Sequence, residues 1–192
     1  MSSRDNGETF SASSEINAAW NPCDCCTTAI TYGNDGKVAV LYREETGNDR
    51  DIYIALLNPK SAASPTRTRI STTGWRVNTC PMTYFTVVPT ETGYVAAWPT
   101  KGQVYFARID KDGVLQAPGE IKTPGTSGMR SGVVALSAND GAILIAWKNK
   151  DTLGWQLYDA EGRPQGAPGS ARSVGAGAAG ALLPNGTFAL FP

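Results

Sequence analysis

The stretch DGKVAVLYR (35–43) recurs three times, as TGYVAAWP (92–99), DGAILIAWK (140–148) and NGTFALFP (185–192). Each copy is a turn built on a glycine, followed by an apolar strand with an aromatic residue near its end. The glycines are Gly36, Gly93, Gly141 and Gly186, spaced 57, 48 and 45 residues apart. Periods of about 40–50 residues are those of propeller blades, units that bury their faces only by stacking on neighbours.

Working outward, each copy follows another apolar stretch: CCTTAIT (25–31), MTYFTVVP (82–89), SGVVALSA (131–138) and AAGALLP (178–184). A third strand follows the first three copies, as DIYIALLN (51–58), QVYFARID (103–110) and LGWQLYDA (153–160). Outer strands are expected near 65–71, 115–122 and 164–173. The expected fold is therefore all-β, a β-propeller of about four sectors in one domain. Its units are a turn and outer strand in 1–17, blades in 18–70, 71–122 and 123–174, and a half blade in 175–192. A β-sandwich with accidental spacing is the competing all-β reading. Open blade edges invite pairing, so either the strand TFSASSEI (9–16) closes the ring, or copies of the chain associate, or the chain belongs to a larger ring.

Composition narrows the function classes. Lys+Arg 17 balances Asp+Glu 17, which gives no field favouring nucleic acid or an anionic membrane. No apolar run reaches the roughly 18 residues of a spanning helix. Histidine is absent, so His-based triads, general bases and metal ligands are excluded within this chain. No cofactor is expected. Residues 1–20 are polar and show no secretory leader, although a chain that opens in mid-blade says little about one upstream.

Residues 3–10, SRDNGETF, fit the pattern S-x-D-x-G-x-T-F. Ser3, Asp5, Gly7, Thr9 and Phe10 thus resemble the Asp box of sialidases and other bacterial-neuraminidase-repeat proteins. There the box is a structural turn between the third and fourth strands of a blade. Asp5 can accept bonds from the turn backbone, Gly7 can take positive φ, and Phe10 can anchor the outgoing strand. Asp110-Lys-Asp-Gly113 and Asp159-Ala-Glu-Gly162 are degenerate versions. WNPCDCC (20–26), YREETGNDRDI (42–52) and GWRVNTCP (74–81) extend the resemblance to sialidase-like propellers carrying C-x-C-C, YR…RD and W…CP segments. The resemblance implies that the domain is part of a six-bladed ring, and that any activity is that of an exo-sialidase glycoside hydrolase.

Blade topology puts the tight turns on one face and these longer loops on the other, where propellers bind ligands. Arg43, Arg50, Arg76 and Arg130 are candidates to meet an acidic carbohydrate, because sialidases clamp a carboxylate with arginines. Asp51 joins them, and Asp24, Glu44 and Glu45 are further acids. Arg50-Asp51 reads also as a paired charge pinning the loop between second and third strands to its neighbour. Trp20 and Trp75 are candidates for a sugar platform; Tyr42, Trp98, Trp147 and Phe191 recur and are expected to pack between blades. A sialidase needs a Tyr nucleophile with its Glu and an acid for proton transfer. Neither is assignable from spacing, and the family's leading arginine motif is missing. The expected function is acidic-glycan binding without hydrolysis, with a structural or protein-interaction propeller as the alternative.

Cys23, Cys25, Cys26 and Cys80 precede two successive inner strands and can converge. Three pairings into two disulfides are open, and at least one bridge to Cys80 is expected. A bridge would imply a periplasmic or extracellular home. C-x-C-C lacks the usual C-x2-C spacing of zinc sites, so no metal is assigned.

Overall fold

The structure is a computed structural model that describes every residue except 14, 18, 62, 129–131, 176 and 192. It is all-β, with four antiparallel sheets, none closed. Three are four-stranded meanders in simple chain order. The first joins β1 (Ala29–Tyr32), β2 (Val38–Thr46), β3 (Asp49–Leu57) and β4 (Thr66–Arg69). The second joins β5 (Thr86–Pro89), β6 (Gly93–Thr100), β7 (Gln103–Asp110) and β8 (Ile121–Thr126). The third joins β9 (Val133–Ser137), β10 (Ile143–Asn149), β11 (Thr152–Tyr158) and β12 (Pro164–Arg172). β13 (Ala179–Leu182) and β14 (Phe188–Phe191) make a two-stranded sheet. Among the described residues no helix is long and apolar enough to cross a membrane.

The four repeated stretches become β2, β6, β10 and β14, each the second strand of its sheet. Their apolar runs are longest where neighbouring sheets cover both faces, as on β6, every residue of which is buried. Alternate residues divide the labour. Tyr94, Ala96 and Trp98 pack towards Leu41, Ile52 and Ile54 of the first sheet. Val95 and Ala97 between them pack towards Val133, Ile145 and Trp147 of the third. Leu41, Ile52 and Ile54 are fully buried, each contributing roughly 1.5–3 kcal/mol. A smaller cluster around Val134, Ala146 and Leu153 meets Leu190 of β14. The sheets therefore stack face to face in the order of the chain.

Trp98 and Trp147 lie on the side of their sheets facing the preceding sheet, and both are buried as expected. Gly125 and Gly154 make room for Trp147, since a Cβ at either would overlap its indole. Phe191 breaks the pattern. It pairs with Ala179, outside the Gly180–Leu190 row that packs on the third sheet, and is exposed.

Two local expectations are corrected. The outer strand expected at 115–122 starts only at Ile121 and runs to Thr126, past the expected boundary at 122. Leu115 makes a single bridge to Ile109, and a turn closed by the Gly119 N–H on the Gln116 carbonyl then delays the strand. The strand expected over 9–16 does not form among its described residues, and Phe10 is 62% exposed, so it anchors nothing. The turn before it does form. The Thr9 N–H donates to Asp5 Oδ1 at 3.0 Å, and Gly7 has φ +92°. Asp110 accepts from Val114 N–H at 2.8 Å and Asp159 from Arg163 N–H at 2.9 Å, each four residues on, as in the first turn. Bonds from the Thr9 hydroxyl, the largest contributor, the Thr9 N–H and the Ser3 hydroxyl hold the half-buried Asp5 carboxyl down at about 2.

Candidate functional site

The loops singled out by the sequence converge at one end of the first two sheets. Segment 20–23 runs beside the end of β2: Cys23 N–H donates to the Arg43 carbonyl at 2.8 Å, and Glu45 N–H to the Asn21 carbonyl at 2.9 Å. Segment 75–77 runs beside the start of β3: Arg50 N–H donates to the Trp75 carbonyl at 2.8 Å, and Val77 N–H to the Asn48 carbonyl at 2.8 Å. Cys25 and Cys80 join the two segments at disulfide distance, with Cα atoms 5.9 Å apart across 55 residues of chain. Cys23 and Cys26 are free thiols, and Cys23 Sγ lies 3.4 Å from Cys25 Sγ. Burial pushes the Cys23 thiol above its ordinary value.

Arg43 is buried at the centre. It falls two residues after Leu41, so strand alternation turns it into the space between the first and second sheets. Its guanidinium donates to the Pro99 carbonyl at 2.6 Å, the Arg50 carbonyl at 3.0 Å and Thr83 Oγ1 at 3.4 Å. It also stacks on Trp75 at 4.8 Å and Phe85 at 5.4 Å. Burial pulls its pKa down to about 10, while the neighbouring Cys26 and Cys23 thiols pull the other way. At neutral pH the group is a cation.

The other candidates disperse. Arg50 is buried and donates to the Gly47 carbonyl at 2.9 Å and to Glu45 Oε1 at 2.7 Å, opposite it in the β2–β3 register. Asp51 pairs with Arg69 at 2.9 Å. Arg76 is exposed, and Trp75 is half-buried over Arg43. Arg130 lies outside the described residues. Trp20 stacks on Tyr42 at 5.9 Å, on the opposite side of the first sheet from Arg43. There it borders a cleft of about 280 Å³ with Glu15, Asn17 and Thr28.

Sequence reading missed Arg67, which ties that side together. It lies over Tyr53 at 4.0 Å and Trp20 at 5.4 Å, donates to the Tyr42 hydroxyl at 2.8 Å and pairs with Glu44. The alternation Thr-Arg-Thr-Arg in 66–69 was its signal, since one set of an outer strand's side chains must lie along its sheet. Burial pushes Tyr42 up to about 12, against the opposing bond from Arg67.

A cleft of about 430 Å³ opens at the other end of the stack, between the second and third sheets, lined by Tyr94, Arg108, Asp110 and Asp140 among others. Arg108 is occupied there by the carbonyls of Ala160 and Ala117. No family model matches the chain, and no curated protein or solved structure matches it.

Proposed function

We propose that this chain is a non-catalytic interaction module built as a propeller-like array of sialidase-like blades. The fold reading rests on three meanders stacked in chain order and on three Asp-centred turns with one geometry. The functional reading rests on the arginines. A carboxylate clamp needs guanidiniums whose donors converge on open space. Arg43 and Arg50 instead spend theirs on main-chain carbonyls and Glu45, which leaves Arg76 as the exposed arginine among the three. Of the loop-face phenols, Tyr84 is exposed and Tyr42 is engaged by Arg67; Tyr94, which shares a cleft with Arg108 and Asp110, donates its hydroxyl to Asp35 while Arg108 is spent on main-chain carbonyls.

Exposed apolar faces favour partner binding. Ile30 and Tyr32 are 69% and 61% exposed on the outer side of the first sheet. At the far end Leu144, Leu153, Trp155, Phe188 and Leu190 border an apolar cleft of about 540 Å³. Contiguous apolar surface of this kind marks association.

A fluorogenic sialoside assay on the purified chain tests the reading, with turnover expected at the blank rate. Turnover above blank that Arg76→Ala abolishes would overturn it. Binding of a sialylated sugar that Arg76→Ala abolishes, and that weakens with salt, would return the acidic-glycan reading.

A further inference from the structure

We propose that Cys23, Cys25, Cys26 and Cys80 together form a redox-gated site for one thiophilic d10 cation, Zn(II) or Cu(I), open when the Cys25–Cys80 pair is reduced. The sulfurs of Cys23, Cys25 and Cys26 already lie within 4.8 Å of one another, and the bond to Cys25 holds Cys80 at the edge of that group of three. Four thiolates around a tetrahedral ion at about 2.3 Å stand roughly 3.8 Å apart. The 3.4 Å between Cys23 and Cys25 Sγ is already close to that spacing. C-x-C-C alone has the wrong spacing for such a cage. The fourth sulfur comes from a loop 55 residues away, held in place by the backbone pairing of segments 20–23 and 75–77 against β2 and β3.

Ligand type selects the ion. The cluster holds sulfur only, and the chain has no histidine, which suits soft cations and not Ca²⁺ or Mg²⁺. Charge fits as well. A metal with four thiolates is a net anion, and a buried anion needs a partner. Arg43 is buried beside it, and its three hydrogen-bond partners are all neutral: two main-chain carbonyls and the Thr83 hydroxyl. That hydroxyl is also 3.7 Å from Cys26 Sγ, so one threonine links the guanidinium to the sulfur cluster. An ion can enter from solvent, since Cys80 is exposed and Cys25 and Cys26 are half-buried.

The gate is a two-electron step. A small dithiol gives two electrons and two protons to the Cys25–Cys80 bond, which cleaves to two thiols while the dithiol closes to its own disulfide. Each sulfur that then coordinates releases its proton to buffer, and the metal keeps its oxidation state. With the bond intact, Cys23 and Cys26 are the free thiols and the cage is incomplete.

The test is metal titration of the full chain, with and without dithiol treatment and anaerobic desalting. Co(II) reports a tetrahedral thiolate site by its d–d bands, and chelator competition measures Zn(II) and Cu(I). The reduced chain should take up one equivalent. Affinity should fall in the oxidised chain and in Cys26→Ser by more than the roughly 10–100-fold typical of outer-shell changes. Tighter retention of Zn(II) or of Cu(I) identifies the ion, and either supports the site. Equal uptake by oxidised and reduced chains, no uptake by the reduced chain, or unchanged affinity in Cys26→Ser would overturn it. If Cys26→Ser does not fold, iodoacetamide labelling of the reduced native chain decides. Metal should protect Cys23, Cys25, Cys26 and Cys80, and equal labelling with and without metal would overturn the site.

Discussion

Replacing Arg43 by methionine separates a welding role from a ligand-binding one. Methionine keeps much of the apolar volume and removes every donor. The carbonyls of Pro99 and Arg50 would then be buried without their partner, at about 1–3 kcal/mol each. The 3.4 Å bond to Thr83 counts for little. Stacking on Trp75 and Phe85 adds about 1–2 kcal/mol for a desolvated cation. Relief opposes these losses, because a buried charge and the unpartnered Arg43 Nε disappear together. The expected net loss is about 3–4 kcal/mol. With an m-value of about 2 kcal/mol/M, the urea midpoint should fall by roughly 1.5–2 M at unchanged slope. Arg76→Ala, on an exposed side chain of the same loop cluster, should stay within about 0.5 kcal/mol. If Arg43→Met lost less than about 1 kcal/mol, the inward bonds would not be holding the sheets together, and a role towards a ligand would have to be reconsidered.

Cys80→Ala in the oxidised chain should cost about 4 kcal/mol, the loop-closure entropy of a 55-residue crosslink, and an unchanged urea midpoint would show that no bridge exists in solution. Gly154→Ala should destabilise by about 1–3 kcal/mol through overlap with the Trp147 indole, whereas Gly177→Ala, with open space around it, should not; equal stability of the two variants would refute the packing argument. Burial pushes Tyr42 and Tyr158 up to about 12, so the folded state keeps protons that the unfolded chain loses near its ordinary value of about 10. The tyrosines' contribution to stability should be constant below about pH 10 and fall as pH rises towards 12, with phenolate absorbance reporting the titration; Tyr42→Phe should flatten that decline.

The sheets were legible because their second and third strands carry long apolar runs behind Gly-containing turns. Such runs are longest where both faces are covered, as on β6, and Gly36, Gly93, Gly141 and Gly186 mark the turn ahead of each second strand. Outer strands were less legible: 115–122 mixes Leu115, Pro118 and Gly119, so hydrophobicity did not locate the turn that postpones β8 to Ile121. Over 9–16 the polar run Ser-Ala-Ser-Ser offers nothing to bury. The site divides in the same way. Which loops meet was legible, because topology alone decides it, and the Cys25–Cys80 pair fits the expected bridge. Where each side chain goes was not read, although parity held the answer for two. Arg43 follows Ala39 and Leu41 onto the buried side of β2, and Glu45 and Arg50 flank a tight turn that sets them opposite each other. Arg67 owes its place to a sheet face that has aromatic rings and no further sheet on it, which is a tertiary fact.

The sequential stacking has a consequence for how the molecule comes apart. Each sheet packs on its neighbours in the chain, so stability is a sum of sheet energies and nearest-neighbour couplings, as in a one-dimensional lattice. The second sheet has two strong couplings, and every residue of β6 is buried. The pair β13–β14 has one coupling and a small cluster behind it. Amide exchange should therefore begin at β13–β14 and advance inward through the third sheet, with the β6 amides the last to open. The crosslink between the loops before β1 and β5 pins the opposite side, so fraying should be lopsided, and reducing that link should let exchange advance from both ends.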